Sequence, residues 1–189
     1  MKHVYKGQFE YIKKKKKERL IICLIWTALI IGILVAGYLI TKSRESIFTV
    51  AAILTVLPAA KFVVSFCMLL PYHSQTKEKY DMVCKAAKEA IVCTDMLIST
   101  EKKVLPTDFV VIRDGNVCGY SASPKFDARF AQEYLTAMYK RNGIKPNIKM
   151  FTDEKKFLQR VRELAAMEID EKQAERDTRT KELLLTLIL

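Results

Sequence analysis

Apolar residues are concentrated in the N-terminal third of this 189-residue chain. Residues 20–40 hold no charge, and residues 47–70 hold one, Lys61. As helices the two runs reach about 31 and about 36 Å, against a bilayer core of about 30 Å. They are apolar on every face, whereas the helices of a soluble globule keep a polar side. Both runs therefore predict membrane spans. Residues 41–46 are too few to cross back, so the two helices are predicted to form an antiparallel hairpin.

Beyond residue 70 the pattern changes to short alternating elements. Residues 78–89 predict a helix with Met82, Ala86 and Ala90 along one face. Residues 90–98 are apolar and β-rich, and residues 104–113 form a second strand around Phe109, Val110, Val111 and Ile112. Asp114-Gly115 is a hairpin turn, because a type I′ turn needs positive φ at both positions. Residues 116–120 return as a third strand. Ser123-Pro124 predicts a helix start, with Phe126, Phe130, Tyr134 and Met138 at i+4 intervals and Ala131 and Leu135 beside them. Gly143 supplies a left-handed stop. Residues 147–151 predict a strand. A helix capped by Thr152 follows, with Phe157, Val161, Leu164 and Ala165 as its buried stripe, and it frays into residues 170–180. Residues 183–189, apolar except for Thr186, predict a final strand, with a helical turn on the membrane as the alternative. The expected fold class is an α-helical transmembrane hairpin plus a small α/β (α+β) domain with a mixed sheet. Its parts are a basic tail at 1–19, spans at 20–40 and 47–70, a connector at 41–46 and the domain at 71–189.

Charge orients the hairpin. The chain carries +11. Residues 1–19 account for +6, most of it in Lys13, Lys14, Lys15, Lys16, Lys17 and Arg19, and the connector accounts for +1. Positive flanks stay in the cytoplasm, so the expected location is a multi-pass plasma or inner membrane protein with both termini cytoplasmic. The first apolar run is longer than a signal-peptide core and lacks a small-residue cleavage site. The basic flank predicts the lipid bilayer as partner, with anionic headgroups as an added attraction of about 1 kcal/mol per charge. The connector and Lys61 leave only +3 for residues 71–189, so the domain lacks the basic excess that marks a nucleic-acid binder. The five cysteines show no CxxC pairing, and only two histidines are present, so neither a metal nor any other cofactor is expected.

Within the spans, Ala28, Gly32 and Ala36, and Ala51, Thr55 and Ala59, each repeat at i+4. Such faces predict close helix packing, within the hairpin or against a second copy. Pro58 removes a backbone donor and predicts a kink. Lys61 lies about 13 Å from the inner end of its helix. It reads as a lysine that extends toward the interface, and the alternative is an ion site in an oligomeric channel or transporter subunit.

The stretch from Asp95 through Asp114-Gly115 to Tyr120 resembles the core of the nuclease-related domain, a branch of the restriction-endonuclease-like fold. In that family a strand carries an Asp followed by apolar residues, and a hairpin leads to a strand bearing Glu-x-Lys. The Asp maps onto Asp108. Ser121-Ala122-Ser123 stands where Glu-x-Lys belongs, and Glu89 is the nearest other carboxylate. The resemblance implies metal-dependent phosphodiester hydrolysis, which needs two carboxylates and a lysine. The departure implies a copy without catalysis. The whole chain also resembles a class of bacterial two-span membrane proteins with small cytoplasmic domains. The expectation is a membrane-tethered, non-catalytic module that binds a protein partner. A nuclease or hydrolase on Asp108 and Glu89 is the alternative.

Overall fold

A computed structural model describes residues 6–41, 47–100, 103–167 and 171–188. The connector charges Lys42, Arg44 and Glu45 lie outside the described residues, as do Glu101 and Lys102. Two compact units are present. One is Ile12–His73. The other joins residues 6–11 to residues 74–188.

The first unit is a pair of helices, α1 (Tyr11–Thr41) and α2 (Ile47–Leu69). Both are long and apolar enough to cross a membrane. α1 begins nine residues before the apolar run, so the lysine run is the first part of a helix rather than an irregular tail. Trp26 stacks on Phe62 at 6.0 Å, the Arg19 guanidinium lies 5.8 Å from the same ring, and Lys16 Nζ donates to the Leu70 carbonyl at 2.8 Å. These contacts run the helices antiparallel. The inward positions on α2 are Ala52, Thr55, Ala59, Phe62, Phe66 and Leu69, alternating three and four apart. On α1, Trp26, Ile30, Ile33 and Gly37 do the same. That spacing is the seam of a left-handed helix pair. The predicted small face of α1 is not part of it. Ala28, Gly32 and Ala36 are exposed, as is Ala51, while Thr55 and Ala59 lie on the seam. Gly37 and Ala52 supply the close approach instead, and the larger seam residues fill the rest. α2 runs unbroken through Pro58. Hydroxyls on the two helices are satisfied locally: Thr27, Thr55 and Ser65 each donate to the carbonyl four residues back.

The second unit is a four-stranded sheet with helices on both faces. Its elements are α3 (Lys77–Ala87), β1 (Ile91–Ser99), β2 (Val104–Arg113), β3 (Asn116–Tyr120), α4 (Ala128–Arg141), β4 (Asn147–Phe151), α5 (Glu154–Ala165) and α6 (Glu171–Thr186). The sheet order is β1-β2-β3-β4. The first three strands form an antiparallel meander, and β4 returns parallel to β3 after the α4 crossover. Asp114 and Gly115 both have positive φ, 50° and 66°, as the tight turn requires.

Alternation along β2 and β3 gives the sheet two apolar faces. Phe109, Val111, Cys118 and Tyr120 pack under α3 and α5 with Val83, Ala87, Phe157, Val161 and Leu164. Val110, Ile112 and Val117 fall on the opposite face, where α4 offers Ala131, Leu135 and Tyr139 and α6 offers Leu184. Gly119 keeps that face close: a Cβ there would come 2.5 Å from Met150 Sδ.

Several local expectations are corrected. Of the residues expected along one face of α3, Ala86 and Ala90 pack against the aromatic cluster together with Tyr80, Val83 and Ala87, and Met82 is exposed. Ser123 opens a turn, its carbonyl accepting from Phe126 N–H at 3.0 Å; Asp127, not Ser123, caps α4 by accepting from Phe130 N–H at 3.0 Å. Asp153, not Thr152, caps α5, accepting from Lys155 N–H at 2.9 Å. Residues 171–186 are helical rather than frayed. The last apolar residues mostly complete α6, and after it Ile188 pairs with Ile98 while the Leu187 carbonyl accepts from Ser99 N–H at 3.0 Å. α6 reads as polar because one of its inward residues is the hydrogen-bonding aspartate Asp177.

Candidate functional site

Three places gather chemistry-bearing side chains in the α/β unit. The first is the neck, where the chain leaves and rejoins the unit. Residues 6–10 lie along β1. Thr94 N–H donates to Gly7 O at 2.9 Å, Phe9 stacks on Tyr80 at 4.8 Å, and Lys6 Nζ donates to the Ile188 carbonyl. Gly7 has φ +76°, and a Cβ there would meet Leu185 Cδ2 at 2.9 Å. Asp95 sits opposite this strap with φ +53° and 1 % exposure. Gln75 N–H donates to its carboxylate at 3.0 Å. The Ser74 hydroxyl and Glu10 N–H are directed at the same group. One buried carboxylate thus holds both the segment before α1 and the segment after α2. Burial pushes its pKa above the ordinary range and the Asp108 charge pushes the same way, while the three donors pull it back.

The second place is Asp108. Its Oδ2 accepts from Ala122 N–H at 2.7 Å and so fastens the chain where β3 ends. The flanking pairs Thr94↔Phe109 and Met96↔Thr107 put Asp108 across from Asp95. Glu89 is exposed beyond the start of β1, beside the pair Ile91↔Ile112. Asp108 lies four residues along β2 from Ile112, about 13 Å away at the strand rise. The fold therefore brings Asp108 to Asp95, not to Glu89. Among the described residues no group of three His, Cys, Asp or Glu side chains is placed to hold a metal ion. Sequence reasoning passed over Asp95 because it sits inside an apolar stretch; its signal is that charge, alone among residues 90–98.

The third place is a cleft of about 540 Å³ beside the hairpin turn. Its walls include Asn116, Gly143, Lys145, Asn147, Gln173, Arg176 and Arg179. Asp177, 2 % exposed, accepts from Asp114 N–H at 2.7 Å and from Gly115 N–H at 2.9 Å, and so docks α6 on the turn. Asn147 Nδ2 donates to Asn116 Oδ1 at 2.9 Å, which ties β4 to β3 at the cleft edge. Sequence reasoning missed this site because α6 was read as frayed.

The other residues singled out from sequence are placed as follows. Lys61 and Pro58 are exposed on α2. Of the lysine run, Lys16 caps the end of the second apolar helix and Lys15 pairs with Glu18 at 3.4 Å, while Lys13, Lys14 and Lys17 are exposed. Cys93 and Cys118 are buried, and burial raises the Cys93 thiol to about 11, so it stays protonated and unreactive. Comparison with known protein families, with curated proteins and with solved structures finds no match.

Proposed function

We propose that this chain is a membrane-tethered binding module: a two-helix anchor carrying a small α/β unit that presents a ligand-binding surface at the inner face of a cell membrane. The observation that carries the reading is the surface of the hairpin. Among the described residues, nineteen of the twenty large apolar side chains that stand exposed fall within residues 20–70, Leu39 and Leu57 at 70 % among them. An extended apolar surface of this kind, broken by Lys61 alone among charged side chains of the described residues in 20–70, is stable against lipid and unstable against water.

The discontinuous α/β unit supports a two-crossing path. Residues 6–11 and 74–188 share one folded body. If the helices span, both flanks then lie on one side, as an even number of crossings demands. The excess of +6 before the first span against +1 after it favours the cytoplasm for that side. Binding rather than catalysis fits the α/β unit, because its two neighbouring aspartates each accept from a backbone N–H, Gln75 and Ala122, no described third carboxylate, His or Cys joins them, and its open cleft is cationic.

Membrane fractionation and a reporter pair test this. The chain is expected to resist alkaline carbonate extraction. A reporter after Leu189 is expected inside, and one inserted at Ser43 outside. Release by carbonate would remove the tether, and an external C-terminal reporter would reverse the topology.

A further inference from the structure

Cationic side chains in folded proteins are ordinarily neutralised or spread apart. In the cleft beside the Asp114–Gly115 turn they are neither. Arg176 and Arg179 stand three residues apart on α6, hence on one face, and both line the cleft. Lys145, on the loop before β4, lines the same space. Like charges at this spacing repel. No ion pair or side-chain hydrogen bond engages these three groups among the described residues.

The acidic residue between the arginines does not relieve them. Asp177 is turned inward and spends its oxygens on Asp114 N–H and Gly115 N–H. Glu175 and Glu182 line the adjoining groove together with Arg176 and Arg179 but form no ion pair with either among the described residues. The carboxylate in the cleft wall is Asp114, so the lining carries a net +2. Residues 71–189 as a whole carry only +3. The lining is thus locally cationic within a nearly neutral domain, with Asp177 buried behind the turn, and a concavity concentrates such a field.

We infer that this cleft is an anion site for a phosphate-bearing small molecule or headgroup. Two guanidinium forks match phosphate oxygens bidentately, and a lysine adds a point charge. The amides of Asn116, Asn147 and Gln173 supply neutral polar groups for the rest of the ligand. Gly143, with φ +73° and open space around its Cβ position, leaves the rim low. The volume, about 540 Å³, suits a ligand larger than a single phosphate. This inference rests on the binding-module part of the function proposed above and not on the membrane tether.

The test uses the full chain in phosphatidylcholine nanodiscs. Phenylglyoxal modifies exposed arginines, and mass spectrometry reads each one. Inorganic pyrophosphate is expected to slow modification of Arg176 and Arg179 several-fold while Arg129 and Arg162, exposed elsewhere, are unaffected. Discs containing phosphatidic acid form the second arm: protection there alone assigns the phosphate to a lipid headgroup, and protection by pyrophosphate assigns it to a soluble ligand. Arg176→Gln with Arg179→Gln is expected to weaken pyrophosphate binding at least tenfold by calorimetry. The inference is overturned if neither arm protects, if Arg129 and Arg162 are protected equally, or if the double variant binds as tightly as the parent. A chain that leaves the discs refutes the tether alone, since the same footprint is then read on the released protein.

Discussion

At the residue scale, Asp95 is an ionisable group held where ionisation is expensive. Its carboxyl is raised by burial and by Asp108. A folded state with a raised carboxyl binds a proton more tightly than the unfolded chain does. Asp95 therefore favours folding fully below its ordinary pKa, and that contribution is lost as pH climbs through the raised value. Asp127 and Glu163 are shifted the other way, Asp127 chiefly by the Phe130 N–H and Glu163 chiefly by Arg160, so their contributions fade on acidification. Comparing wild type with Asp95→Asn isolates the neck. Melts of the full chain in detergent from about pH 7 to about pH 5 should show a steeper gain on acidification for wild type than for the variant. Equal slopes would mean that Asp95 is not raised. Gly7 supplies a second residue test. Gly7→Ala places a Cβ at φ +76° against Leu185, and a loss of about 1–2 kcal/mol is expected in the same melts; an unchanged midpoint would show that the strap is not docked.

At the element scale, the three meander strands were legible almost to the residue. The Asp-Gly turn sets the register there, and each strand carries its own β-branched or aromatic centre. Helix starts were less legible. Ser123 and Asp127 are both good caps, and only the turn that closes from Phe126 to Ser123 decides between them. α6 was illegible for another reason. Its inward positions are Asp177, Thr180 and Leu184, and a helix whose buried side includes hydrogen-bonding residues gives a weak apolar period. Its packing can be checked directly. Leu184→Ala should cost about 2–5 kcal/mol, as truncation of a filled core site does. Met82→Gln, on the exposed side of α3, should stay within about 0.5 kcal/mol. Reversal of that order would place Met82 inside and leave Leu184 unpacked, against the faces described for α3 and α6.

At the scale of the whole molecule, the hairpin was the most legible part and the boundary of the α/β unit the least. A domain drawn at residues 71–189 omits the strap, because six residues with no apolar run give no sign that they return to a sheet formed eighty residues later. The omission has a measurable effect. Residues 74–189 alone should exchange the Thr94 amide rapidly, since its acceptor is the Gly7 carbonyl. Joining residues 6–11 to that fragment by a flexible linker should slow its exchange at least tenfold. Equal exchange in both would make the strap a passenger. The strap also bears on the order of biosynthesis. Residues 6–11 emerge from the ribosome long before Leu185 and Ile188, which form part of their seat. Both apolar helices therefore emerge before that seat exists, and the strap can dock only once the chain through Ile188 is out. A chain stalled before Leu185 would hold both helices and leave residues 6–11 undocked and open to proteolysis.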